Sequence, residues 1–163
     1  MNKVKLLVGN SERGLNNLIE RLVLDACFNQ AVVETTRTGQ VDELVRLASS
    51  GTYQLVIVAV DHLLPPQGLR NLWVSADEAV RAIQAIRSRC DTPVIAAAVF
   101  PKDEEALLEA GVECVVRLPF DDERLQVGVR QVLRMADPVE EPKPSRWSLA
   151  ELVLRGLQRL KSA

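Results

Sequence analysis

The chain has 163 residues, 47% of them hydrophobic, which suits one domain able to remove roughly 70% of its unfolded surface from water without a disulfide or metal staple. Its 20 basic and 22 acidic side chains leave a formal net charge of -2, so there is no global electrostatic pull toward nucleic acid or an acidic membrane, and neither is expected as a partner. Cys27, Cys90 and Cys114 are odd in number, far apart and set among apolar residues, the pattern of small buried hydrophobes in a reducing, cytoplasmic setting.

In chain order, the first apolar run, Leu6 to Val8, is too short for a signal peptide or a membrane span and reads as the core of a strand over residues 3–8. Leu15, Leu18, Ile19, Leu22 and Ala26 then recur at helical spacing, a strand is predicted over 31–36, and Val41, Leu44, Val45 and Ala48 give a second helical stripe. The third strand, 55–60, is apolar without alternation and should be central, buried on both faces. Helices are predicted over 77–88, 102–110 and 121–135, with strands at 93–98 and 113–117; Gly111 suits the left-handed position after a helix end. Five such βα units predict a flavodoxin-like α/β fold over residues 1–135, a doubly wound parallel sheet of strand order 2-1-3-4-5.

After Met135 the stretch from Ala136 to Ser145 carries three prolines and three acids in ten residues, so residues 136–147 read as an extended linker. A further amphipathic helix is predicted over 148–162. Ser148 and Glu151 make a capping box, Trp147 and Leu152 a hydrophobic staple, and Leu149, Leu152, Val153, Gly156, Leu157 and Leu160 share one face.

Ligands of doubly wound sheets gather at the carboxyl ends of the strands. There the sequence offers Asp61-His62-Leu63-Leu64-Pro65 after the third strand. Further on come Thr92-Pro93-Val94-Ile95-Ala96-Ala97-Ala98, Glu109-Ala110-Gly111-Val112 and Arg117-Leu118-Pro119-Phe120-Asp121. In order and spacing these resemble the response-regulator receiver (CheY-like) family: a phosphoacceptor Asp with Pro four residues on, the fourth strand, the Glu-Ala-Gly helix end and the Lys-Pro-Phe corner.

The resemblance implies an acceptor at Asp61, and it also shows what is missing around it. The family's paired acids after the first strand, which hold a divalent cation, are matched by Gly9 and Asn10. Its hydroxyl residue is matched by Ala98, its switch aromatic by Val115 and its lysine by Leu118. Asn10 and Glu12 would make a poor magnesium site, and Arg117 points to the opposite sheet face from Leu118. The implied role is an atypical, degenerate pseudo-receiver: a signalling module acting by protein–protein interaction rather than an enzyme, with no catalytic residue, no cofactor and no metal.

Two alternatives remain open at this level. One is a working phosphorelay receiver in which Asp61 accepts a phosphoryl group from a histidine kinase, with weak magnesium binding. The other is a flavodoxin-like cofactor or nucleotide binder using Gly9-Asn10-Ser11-Glu12-Arg13-Gly14, although Leu15 and Asn16 stand where a phosphate-binding loop needs Lys and Ser or Thr. His62 is read as a solvent-facing loop residue. The stretch 65–75 is about ten residues longer than the usual receiver connection and places Leu69, Leu72 and Trp73 beside the site, as a lid or as partner contacts. With Trp147, Leu152, Leu157 and Leu160 of the last helix they are the partner-binding candidates, for a histidine kinase, another signalling protein or a second copy of the chain.

Overall fold

A computed structural model describes residues 2–28, 30–65, 73–119 and 121–136. Five parallel strands, β1 (Asn2–Gly9), β2 (Ala31–Thr38), β3 (Leu55–Ala59), β4 (Val94–Ala98) and β5 (Cys114–Arg117), lie in the order β2-β1-β3-β4-β5, the doubly wound arrangement expected. Helices α1 (Arg13–Ala26), α2 (Val41–Ala48), α3 (Ala76–Arg89), α4 (Glu104–Glu109) and α5 (Asp122–Val132) connect them.

Strand pleating sends successive side chains to opposite faces and so divides the core in two. Leu6, Val8, Ile57, Ile95 and Val116 meet Ile19 and Val23 of α1 and Leu125 and Val129 of α5. Leu7, Val56, Val58, Ala96 and Val115 meet Leu44 of α2, Ile83 and Ile86 of α3 and Leu107 of α4. Every residue of β3 and of β4 is buried, as central strands covered on both faces must be.

Local signals set the helix limits. The Ser75 hydroxyl accepts the Glu78 amide at 3.2 Å to cap α3. Gly111, at φ +103, ends the α4 region in the left-handed conformation anticipated for it. The predicted 102–110 helix begins as a 3-10 turn, Pro101–Asp103, before α4 proper. The predicted 121–135 helix stops at Val132, because Arg134 turns left-handed at φ 52 and the Met135 amide reaches back to the Arg130 carbonyl at 2.8 Å. Gln30 then fastens Ala136, donating to its carbonyl at 2.9 Å and accepting from its amide at 3.1 Å. The chain is thereby held beside the start of β2, at the end of the sheet where the helices finish. The predicted linker beyond Ala136 and the predicted helix over 148–162 lie outside the described residues.

Candidate functional site

Asp61 stands at the carboxyl end of the sheet, two residues beyond β3, where the Val60 amide still bonds the Ala97 carbonyl at 3.0 Å. Its half-buried carboxylate accepts the Val99 amide at 2.7 Å through Oδ2. One oxygen of the sequence-predicted acceptor therefore ties the β3 loop to the β4 loop, the role a strand-end Asp plays through loop amides.

The matching end of β1 is closed in two ways. Gly9 sits in register with Thr38 of β2 and Val58 of β3, and a Cβ placed on it would lie 2.8 Å and 2.9 Å from the two methyl carbons of Leu44. Leu44 is fully buried, so it cannot swing aside into solvent. Its side chain fills the space that a side chain at residue 9 would need.

Asn10 is 1% exposed, and both ends of its amide are engaged. Nδ2 donates to the Glu12 carbonyl at 2.8 Å and to Asn16 Oδ1 at 3.1 Å, and Oδ1 accepts the Glu12 amide at 3.2 Å. Asn16 returns the contact by donating to the Asn10 carbonyl at 3.2 Å. Asn10 is thus the internal strut of its loop, and the oxygen it was expected to offer a cation already accepts an amide.

The remaining positions are apolar. Ala98 (1% exposed) and Val115 are buried against the α2–α4 side of the sheet. Leu118, followed by a cis peptide to Pro119, lines an apolar void of about 20 Å³ with Leu15, Leu18, Ala97 and Leu125. Arg117 turns to α4 and lies 3.7 Å from Glu104, which also receives Arg124 of α5 at 3.3 Å.

A magnesium ion requires several oxygen ligands, usually including carboxylates. The residues here do not fit it: Gly9 has neither a side chain nor room for one, Asn10 is turned inward, and Glu12 is exposed.

The loops around Asp61 are sewn together through main-chain groups. Ser11 donates its amide (2.9 Å) and its hydroxyl (2.7 Å) to the His62 carbonyl. The Leu64 amide bonds the Gly39 carbonyl at 2.8 Å, and the Leu64 carbonyl accepts the Val41 amide at 2.9 Å. His62 is not the solvent-facing residue expected. It is half-buried, its Nδ1 is shielded from water without a hydrogen-bond partner, and its ring meets Trp73 edge-on at 5.4 Å.

Trp73 itself remains 51% exposed, as do Val99 (40%) and Phe100 (53%) beyond β4, with the Lys102 ammonium 5.7 Å from the Phe100 ring centre. Val99 and Phe100 were not among the partner-binding candidates expected from the sequence. Two apolar residues where a strand should already have given way to polar loop were the available signal. Leu69 and Leu72, and Trp147, Leu152, Leu157 and Leu160, lie outside the described residues.

Among the described residues no helix is long and apolar enough to cross a membrane. No protein-family model and no curated protein matches the chain. Solved structures do. The receiver domain of a sensor histidine kinase from Pseudomonas aeruginosa, with magnesium coordinated in its active-site cleft, aligns over 81% of this chain and 98% of its own at TM-score 0.59 and 19% identity. A signal receiver domain of a two-component histidine kinase from Clostridium thermocellum aligns over 81% and 98%, at TM-score 0.61 and 20% identity. A Burkholderia thailandensis protein assigned to pilus assembly aligns over 83% and 100%, at TM-score 0.57 and 18% identity. At these identities the likeness establishes the fold alone: the described residues have the flavodoxin-like fold seen in receiver domains.

Proposed function

We propose that the chain is a signalling module of receiver fold that works by binding another protein, with its phosphorylation site out of use and no catalytic role of its own. The observation that carries this reading is the filled carboxyl end of β1, where the Leu44 methyls occupy the space of a first acid and Asn10 is consumed in its own loop. Phosphoryl transfer to a carboxylate needs a cation to offset repulsion between the two anions, and a donor for the transferred oxygens. Ala98 and Leu118 offer neither.

The working surface in this reading is the carboxyl edge itself, where Trp73, Val99 and Phe100 stand out beside Asp61. The partner is a kinase or another signalling protein. The same fold occurs in a neighbour assigned to pilus assembly, so the fold does not by itself single out a kinase as the partner.

The test is incubation of the purified chain with a small phosphodonor and magnesium. No labelling is expected, and stoichiometric, acid-stable, base-labile labelling of Asp61 would overturn the reading. A second reading is favoured by Asp61 itself, which keeps its place and part of its exposure: a slow phosphoacceptor served by a cognate kinase. Asp61→Asn should then abolish labelling and signalling together, and retention of signalling would eliminate this alternative.

A further inference from the structure

We propose that the C-terminal segment, residues 148–162, docks along the outer groove between α2 and α3 of its own chain, its end reaching the carboxyl edge of the sheet. The groove is shallow and open, about 450 Å³, lined by Val41, Asp42 and Val45 of α2 and Glu78, Arg81 and Ala82 of α3. Val41 and Val45 pack on the core yet remain partly exposed, so apolar surface lies here beside Asp42, Glu78 and Arg81.

The segment supplies the converse surface. Leu149, Leu152, Val153, Leu157 and Leu160 share one helical face, and Arg155, Arg159 and Lys161 outnumber its single acid, Glu151.

Chain direction selects the register. Gln30 holds Ala136 at the end of the sheet where the helices finish, beside the start of the edge strand β2. Extended at about 3.1 Å each, the eleven residues 137–147 would span roughly 34 Å, enough to pass the β2 edge to the lower end of the neighbouring α2. A helix entering there rises toward the carboxyl edge, antiparallel to α2 and α3, and its Leu149-to-Leu160 stripe spans about 17 Å at 1.5 Å per residue.

Its last turn then arrives level with the first turns of α2 and α3, where Asp42 and Glu78 stand. Residues two apart lie about 200° around a helix axis, so Arg159 and Lys161 flank the apolar stripe on opposite sides. With the right-handed twist of a helix running upward, Lys161 faces α2 and Asp42, and Arg159 faces α3 and Glu78. Arg155 is directed outward, away from Arg81. This occupant covers the α2–α3 groove and leaves Trp73, Val99 and Phe100 open to a partner.

The test is amide hydrogen exchange on the intact chain, read by mass spectrometry, together with its mass in solution. The expected result is a monomer in which amides 149–160 exchange at least about tenfold more slowly than an unstructured peptide. In that monomer, Leu152→Asp with Leu157→Asp should remove the protection and speed exchange in α2 and the first half of α3. Glu78→Arg should weaken protection, and Arg159→Glu in the same chain should restore it. An unprotected segment would overturn the proposal. So would protection that Leu152→Asp with Leu157→Asp removes without touching α2 and α3, since the segment would then sit elsewhere. Protection that grows with concentration as the mass doubles would make the occupant a second copy, and would equally overturn docking within the chain.

Discussion

Replacing Gly9 by Ala isolates the packing of Leu44 on the carboxyl end of β1. Gly9 lies in a strand and has no left-handed backbone, so alanine there should gain about 0.4–1 kcal/mol by narrowing the unfolded ensemble. Against this stands a methyl group built 2.8 Å and 2.9 Å from the carbons of a fully buried Leu44, an overpacking that costs about 1–3 kcal/mol. The net expectation is a loss of about 1–2 kcal/mol, the second effect exceeding the first.

Urea unfolding followed by circular dichroism reads this directly: with a slope of about 1–3 kcal/mol per molar, the midpoint should fall by roughly 0.3–2 M at unchanged slope. Leu44→Ala alone should cost about 2–5 kcal/mol. If the two side chains compete for one space, the double variant should be more stable than the sum of the singles by about 1–2 kcal/mol. A Gly9→Ala protein as stable as the parent, or a strictly additive double variant, would refute the claim that Leu44 excludes a side chain at residue 9.

Asn10→Asp, which nominally restores an acid, should destabilise by about 2–3 kcal/mol, because a buried carboxylate would confront the Glu12 carbonyl and Asn16 Oδ1 that the amide now serves; equal melting temperatures would contradict this. Asp61→Ala should cost about 1 kcal/mol by freeing the Val99 amide, and Asp61→Asn less, since its carbonyl can still accept; the order of the two melting temperatures checks it. Burial pushes the thiols of Cys27 and Cys114 up, opposed at Cys114 by Arg124. The folded protein therefore keeps these protons where the unfolded chain has begun to lose them, and stability should fall as pH rises above the ordinary thiol range. Denaturation midpoints rising with pH in that range would contradict the assignment, as would thiols in the native state reacting as fast as in urea.

The strands and helices were legible in the sequence because each is fixed by its own periodicity: the unbroken Leu-Val-Ile-Val-Ala of β3 needs two covering layers, and the stripes of α1 and α2 fit one face each. The chemistry of two residues was legible as well, since Ala98 carries no hydroxyl and Leu118 no ammonium wherever they point. What occupies the site was not. Leu44 reads as one more core residue of α2, and only the packing of α2 over the end of β1 brings its methyls against Gly9. Asn10 was visible as an amide in the place of an acid, but its lock to Asn16 depends on the first turn of α1 folding back on the loop. His62 was misplaced for a similar reason, because Trp73, eleven positions on, sets its ring edge-on to it.

The bonds from Ser11 to His62 and from Leu64 to Gly39 and Val41 have a further consequence for how this end of the molecule behaves. They continue the sheet's cross-linking past the last strand residues, so the described parts of three loops share one network and separate only when the strand ends beneath them do. To the partner proposed above, this edge would present a preformed mould with little ordering entropy to lose.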